Sequence, residues 1–172
     1  MKKMIALLLL TVFLTGCGAE ETFEVIEDEI PAEPVVSPQQ FVVSLPDDTL
    51  TPTFQSDSEE LYVCEEYTIS KQITQSGDLE NTIKMISGKS REDLDVIQTQ
   101  QENHDRYEFV WTSAGEDGLQ VGRACILDDG NFHYILSVMA TEDASGNMRN
   151  TLQDVFDSCK LLDPDVNLST GS

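Results

Sequence analysis

Basic side chains are scarce in this chain. It has 172 residues, with 10 Lys and Arg against 32 Asp and Glu. Lys2 and Lys3 lie in a first segment that is read below as removed, and no acid precedes Glu20. Taking those two from the ten leaves 8 basic residues against the same 32 acids, a formal charge of −24. Such a surface excludes a nucleic-acid binder, because affinity for phosphate backbones rests on Lys and Arg. It also argues against docking on anionic lipid through the domain's own surface. Histidine is limited to His104 and His133. Neither has a partner at metal-ligand spacing, so no zinc site is expected. Cys-x-x-Cys is missing, which removes a thioredoxin-like redox site. Gly-x-Ser-x-Gly, the phosphate loop and His-Glu-x-x-His are missing too. No catalytic residue and no cofactor is expected. Membrane-length apolar runs are also lacking. The longest, Ile5 to Leu14, falls short of the roughly 20 residues a spanning helix needs.

What is present is a leader. Met1-Lys2-Lys3-Met4 is a short positive start, and Ile5 to Leu14 is apolar except for Thr11. A charged start followed by a short apolar core reads as a secretory signal. Leu14-Thr15-Gly16-Cys17 resembles the bacterial lipobox, in which a branched apolar residue and two small ones precede an invariant cysteine. The resemblance implies removal of residues 1–16 and a diacylglycerol on Cys17, with a further fatty acid such as palmitate on the new amino terminus. Two or three acyl chains anchor stably where one is marginal. The expected location is the outer, extracytoplasmic side of the cell membrane, held by lipid alone.

Residues 17–40 follow as a tether. Glu20, Glu21, Glu24, Glu27, Asp28, Glu29 and Glu33 share it with Pro31, Pro34 and Pro38, and no basic residue interrupts them. Like charges repel and proline resists helix and sheet, so the segment reads as a disordered spacer. As a flexible coil it spans about 26 Å. An acidic docking tail for a basic partner is the other reading of such a run; the plain spacer is the commoner outcome.

Residues 41–164 carry periodic patterns and read as one globular α+β domain, with 165–172 a flexible tail. Phe41 to Leu45 predicts a strand ended by Pro46. Leu61, Val63, Tyr67, Ile69 and Ile73 share one parity and predict a single long strand over 61–73. Asp78 caps a helix carrying Leu79, Ile83 and Ile86, which Gly88 closes. Ser90 with Asp93 resembles a short capping box. Val96 to Thr99 predicts a strand. Arg106–Ser113, Leu119–Asp128 and Phe132–Ala140 predict an antiparallel meander, with a turn at residues 115–118 and a hairpin signal at Asp129-Gly130. Met148, Leu152, Val155, Phe156 and Cys159 make one face of a closing helix. Strands followed by helices in this order predict an antiparallel sheet with packed helices.

The turns fix a register. The turn at 115–118 sets Tyr107 opposite Ile126, Phe109 opposite Ala124 and Trp111 opposite Gly122. The Asp129-Gly130 turn sets Ile126 opposite His133, Ala124 opposite Ile135 and Gly122 opposite Ser137. Three aromatics then share one face, two of them over small neighbours, and that face is expected to lie under a helix. The other face carries Val110, Thr112, Val121, Leu136 and Val138. It also carries Glu108 beside Cys125 and Tyr134, with Arg123 one diagonal step away. Glu108, Arg123 and Tyr134 form the candidate cluster. One reading is a ligand patch in which Arg123 receives a carboxylate or phosphate. The other, which cross-strand pairs favour, is a structural Glu108–Arg123 ion pair.

With Cys17 lipidated, Cys64, Cys125 and Cys159 remain, and exported proteins can form disulfides. Three thiols allow three single bridges or none. Cys64 with Cys159 ranks first, as a pair from distant segments; Cys159 also suits a small core position. His104 is expected in an exposed polar turn and His133 in a partly buried packing role. Asp163, Asp165 and Asn167 resemble the start of a calcium loop. Leu168 replaces its glycine, and no metal ligand set is expected.

Beyond the lipobox, the domain resembles the PsbP/DcrB-like group. The features that carry this are Phe41-Val42-Val43-Ser44-Leu45-Pro46, a helix after an early strand, the meander, and a last helix ending Asp154-Val155-Phe156-Asp157-Ser158-Cys159. The resemblance implies an α/β/α sandwich and a non-enzymatic envelope or accessory module, with no catalytic residues to carry over. The function expected is therefore a lipid-anchored, monomeric binding or accessory module with an envelope protein as partner and no nucleic acid. The alternative is a lipoprotein that binds a small solute or divalent cation on the Arg123/Glu108/Tyr134 face.

Overall fold

The structure is a computed structural model. It describes residues 36–49, 51–115 and 118–162. The leader, Cys17, most of the tether and the tail from position 163 lie outside the described residues.

Nine strands and three α-helices are described. The strands are β1 (Gln40–Val42), β2 (Phe54–Gln55), β3 (Glu59–Val63), β4 (Tyr67–Gln75), β5 (Ile97–Gln101), β6 (His104–Gly115), β7 (Gly118–Asp128), β8 (Phe132–Thr141) and β9 (Lys160–Leu162); the helices are α1 (Leu79–Ser87), α2 (Glu142–Asn147) and α3 (Arg149–Ser158). Seven strands form one sheet in the order β2-β3-β4-β8-β7-β6-β5, and β1 pairs with β9 in a separate ribbon. Every pairing is antiparallel. The fold is α+β.

Side chains alternate across a strand, so neighbours such as Tyr134 and Ile135 enter different layers. On one face Tyr107, Phe109, Trp111, Ala124, Ile126 and Ile135 pack with Ile83, Leu79 and Ile86 of α1. This is the aromatic face expected to lie under a helix. Trp111 sits opposite Gly122, and a Cβ at Gly122 would lie 2.2 Å from the indole. The glycine is the space the tryptophan occupies. Asp78 caps α1 by accepting from the Glu80 N–H, and Gly88 ends it in the left-handed conformation at φ 72°. The other face buries Tyr67, Ile69, Cys125, Leu127, Leu136 and Val138 under Leu152, Val155, Phe156 and Cys159, with Phe41 and Leu161 from the ribbon.

Four expectations are corrected. The single strand over 61–73 is a hairpin, β3 and β4, with Val63 opposite Thr68. Parity inverts at the turn: Tyr62 joins the core while Val63 is exposed. Second, the Asp129-Gly130 hairpin is centred one residue later, so Asp128 faces His133 and Ile126 faces Ile135 rather than His133. The cause is the Asp129 carboxylate, which accepts the Asn131 and Phe132 N–H groups at 2.8 and 2.7 Å and so holds Asp129 before the turn. The shift is two residues, an even number, and every side chain keeps its face. Third, Ser90 caps nothing with its side chain; Arg91–Asp93 is a short 3-10 turn. Fourth, the first strand is Gln40–Val42, not Phe41–Leu45. The Gln39 N–H donates to the Tyr134 hydroxyl at 2.7 Å, so Gln39, assigned to the spacer by sequence, is tied to the domain.

Candidate functional site

Glu108 stands on β6 between two guanidinium groups. Arg106 lies two residues back on the same strand and therefore on the same face. Its Nε donates to Glu108 Oε1 at 2.8 Å. Arg123 reaches across from β7, one diagonal step away as the register requires, and its Nη2 donates to Glu108 Oε2 at 2.7 Å. Each carboxylate oxygen holds one arginine. Burial pushes the Glu108 carboxyl up, but the hydrogen bonds from Arg123 and then Arg106 outweigh it and hold it below the usual carboxylate range.

The arginines are committed elsewhere as well. Arg123 Nη1 donates to Gln153 Oε1 at 2.8 Å, and the guanidinium lies 4.3 Å from the Phe156 ring centre. Arg106 is buried; its Nη1 donates to Gln101 Oε1 at 2.7 Å and its Nη2 to the Phe156 carbonyl at 2.9 Å. The last carbonyls of α3 have no partner within the helix, and Arg106 supplies one. The cluster thus ties the end of α3 to the sheet. Arg106 escaped the sequence reading, although its i, i+2 spacing from Glu108 on a strand was the available signal.

Tyr134 is not a member of this cluster. The two-residue shift at the hairpin moves it along β8 to face Leu127. It is fully buried, packs on Phe41 at 5.8 Å between ring centres, and donates its hydroxyl to Asp129 Oδ2 at 2.8 Å. That ring locks the β1 segment to the hairpin.

The cysteines differ from the pair ranked first. All three described cysteines are free thiols: Cys159 Sγ lies 3.9 Å from Cys125 Sγ, both side chains buried, and Cys64 is half-buried. The register explains this: Cys125 points to the face that α3 covers, and Cys159 ends α3.

Both histidines are more engaged than expected. His133 is fully buried, with Nδ1 2.9 Å from Thr82 Oγ1 and Nε2 3.3 Å from Ser76 Oγ and 3.4 Å from Asp128 Oδ2. A hydroxyl touches a base there. The ring presents no exposed edge, however, and the contacts tie the first turns of α1 to the sheet. His104, expected in an exposed turn, opens β6 half-buried, its Nε2 3.3 Å from Gln39 Nε2.

Arg123 also walls two open surface clefts. One, about 310 Å³, has Val110, Val121 and Val138 in its lining and Arg149 at the start of α3. The other, about 470 Å³, runs past Glu108 and Gln153 to the exposed Ile97 on edge strand β5. Among the described residues, no group of three or more His, Cys, Asp or Glu could hold a metal ion, and no helix is long and apolar enough to cross a membrane.

No family model matches the chain, and no curated protein sequence matches it. Solved structures do resemble it. A protein of Bacteroides thetaiotaomicron superposes with a TM-score of 0.51 at 10% identity, over 72% of this chain and 46% of that one, so the present chain spans about half of that protein's length. LpqN, involved in cell envelope biogenesis of Mycobacterium tuberculosis, gives a TM-score of 0.51 at 11% identity, over 74% of this chain and 87% of LpqN. Cyanobacterial PsbP (CyanoP) from Synechocystis sp. PCC 6803 gives 0.47 at 8% identity, over 74% of this chain and 95% of that one. At these identities the likeness is one of fold.

Proposed function

We propose that this chain is a non-catalytic accessory module, fixed by lipid at Cys17 to the outer side of a bacterial cell membrane, where it docks an envelope protein. One observation carries the non-catalytic part. The polar cluster on the sheet is closed on itself: both oxygens of Glu108 are occupied by arginines, and both arginines are bound to α3. A carboxylate so held gives no oxygen to a cation and no base to a substrate. The leader, the lipobox cysteine and the acidic spacer support the address. The shared fold with LpqN, a protein involved in envelope biogenesis, supports the setting. With helix α1 on one face and α3 on the other, the layering fits the α/β/α arrangement of the PsbP/DcrB-like group. The module works as a monomer, without a cofactor and without nucleic acid.

A second reading, a small-solute binder, keeps one observation in its favour. Arg123 and Arg149 share a cleft with Val110, Val121, Val138 and Leu152 and a single carboxylate, Glu142, a lining with two cations to one acid that suits an organic anion better than a divalent cation. Tyr134 has no part in it.

The test is fractionation. The wild-type chain is expected in the membrane fraction and the Cys17→Ser chain in the soluble fraction. A Cys17→Ser chain that stays with the membrane overturns the anchoring.

A further inference from the structure

We propose that Cys125 and Cys159 are a disulfide-forming pair, and that the bond between them staples the C-terminal end of α3 to the middle of the sheet. The two sulfurs are already in contact, 3.9 Å apart, and both side chains are fully buried. What holds them there is independent of the sulfurs. Arg106 of β6 donates to the Phe156 carbonyl at 2.9 Å and to the Cys159 carbonyl at 3.4 Å, which ties the C-terminal end of α3 to the sheet. Phe156 fills the core beside it. The folded geometry therefore accommodates the bond with only a short displacement of the two sulfurs and no re-docking of elements.

The position gives the bond a purpose. Cys159 immediately precedes β9, and β9 pairs with β1, Leu161 opposite Phe41. β1 is the first strand of the described residues. A three-residue strand held by a three-residue partner is a weak attachment on its own. A covalent link at Cys159 fixes the ribbon to the sheet just where a tethered domain is pulled.

The chemistry is thiol–disulfide exchange with a disulfide-class oxidant, either a small-molecule disulfide or a protein dithiol oxidase. The thiolate of one cysteine attacks the oxidant's S–S bond and makes a mixed disulfide, releasing one oxidant sulfur as a thiolate. The second cysteine, as thiolate, attacks the protein-bound sulfur of that mixed disulfide, forms the Cys125–Cys159 bond and releases the other oxidant sulfur. The protein loses two electrons and two protons, and the oxidant is reduced to two thiols. In the closed domain this exchange is slow. Neither thiol reaches solvent, and the hydrogen bond with Cys159, then burial, pushes the Cys125 thiol far up, away from the reactive thiolate. Oxidation belongs to folding, before α3 seats, and the finished bond is shielded from reductants by the same burial.

The experiment uses the full chain, purified without reductant and also refolded from the reduced, denatured state in oxidised and reduced glutathione. Free thiols are alkylated under denaturation, and the tryptic peptides are mapped by mass spectrometry before and after reduction. Arg149 places Cys125 and Cys159 on separate peptides. The expected result is a cross-link between those two peptides that reduction removes, with Cys64 alkylated throughout. Cys64→Ser should leave the cross-link unchanged. The bridged form should melt on the order of 10 °C above the reduced form, as expected for a closed loop of this length. Cys125 and Cys159 both alkylated without reduction after glutathione refolding, or Cys159 joined to Cys64, overturns the proposal. The mapping needs no variant at the pair itself, so a misfolding mutant cannot obscure the answer.

Discussion

Arg123 and Glu108 meet at 2.7 Å across neighbouring strands, and the same guanidinium lies 4.3 Å from the ring centre of Phe156 on α3. One side chain thus joins sheet, carboxylate and helix. Replacing it should register as lost stability. Arg123→Ala removes a partly exposed ion pair and a cation–π contact, while Arg106 still holds Glu108; the expected cost is about 1–2 kcal/mol. Thermal melting, repeated with small carboxylates and phosphate, checks this. The expected result is a lower melting temperature for the variant and no ligand-induced rise in either protein. A rise in wild type that Arg123→Ala abolishes would favour the anion-binding reading.

Acid should act on the same cluster. The folded value of Glu108 sits below its unfolded one. Its contribution is then complete above the unfolded value of about 4.3 and is lost as pH falls through the folded value. Glu60, held by Lys71, and Asp129 are lowered too and lose stability over the same acid range. Comparing wild type with Glu108→Gln isolates one group. Between neutral pH and pH about 3, wild type should lose more stability than the variant. Parallel melting curves across that range would contradict the assignment.

Gly122 should not tolerate a methyl group. An added Cβ would meet Trp111 at 2.2 Å and the Met139 sulfur at 2.6 Å. Gly122→Ala is expected to cost about 3 kcal/mol by forcing the indole out of its seat. Denaturant unfolding measures the loss, and near-UV circular dichroism of the one tryptophan reports its displacement.

Tyr134→Phe should destabilise by leaving the Gln39 N–H without its acceptor and taking one donor from Asp129. The hydroxyl accepts from the Gln39 N–H and donates to Asp129, and both partners lose it together. The expected cost is about 1–3 kcal/mol, with the β1 segment released first. Hydrogen exchange at Gln39 to Val42 should speed up more than exchange in β7.

Parts of this architecture were legible because their signals are local. The β6–β7 register follows from a short turn and from large residues facing small ones, and the structure has Tyr107, Phe109 and Trp111 opposite Ile126, Ala124 and Gly122. The α1 boundaries follow from Asp78 and Gly88. What failed lacked such marks. The turn between β3 and β4 runs through Cys64, Glu65 and Glu66, with no Gly, Pro, Asn or Asp to announce it, so a hairpin read as one strand. At the β7–β8 turn the dipeptide was right in kind and misplaced by one position, because a side chain two residues ahead of Asn131 decided the turn. That slip carried Tyr134 away from Glu108, and with it one member of the candidate cluster. Arg106 went unseen for a different reason. Its spacing from Glu108 marked the pair, but its contact with the Phe156 carbonyl of α3 is one that only the folded chain brings near.

The anchoring claim has the most direct test. The protein is purified from native membranes, and the mass of its N-terminal peptide is measured. The expected peptide begins at Cys17 and carries a diacylglycerol on the sulfur, with the leader gone. A peptide in which residues 1–16 remain joined to an unmodified Cys17 thiol would contradict it.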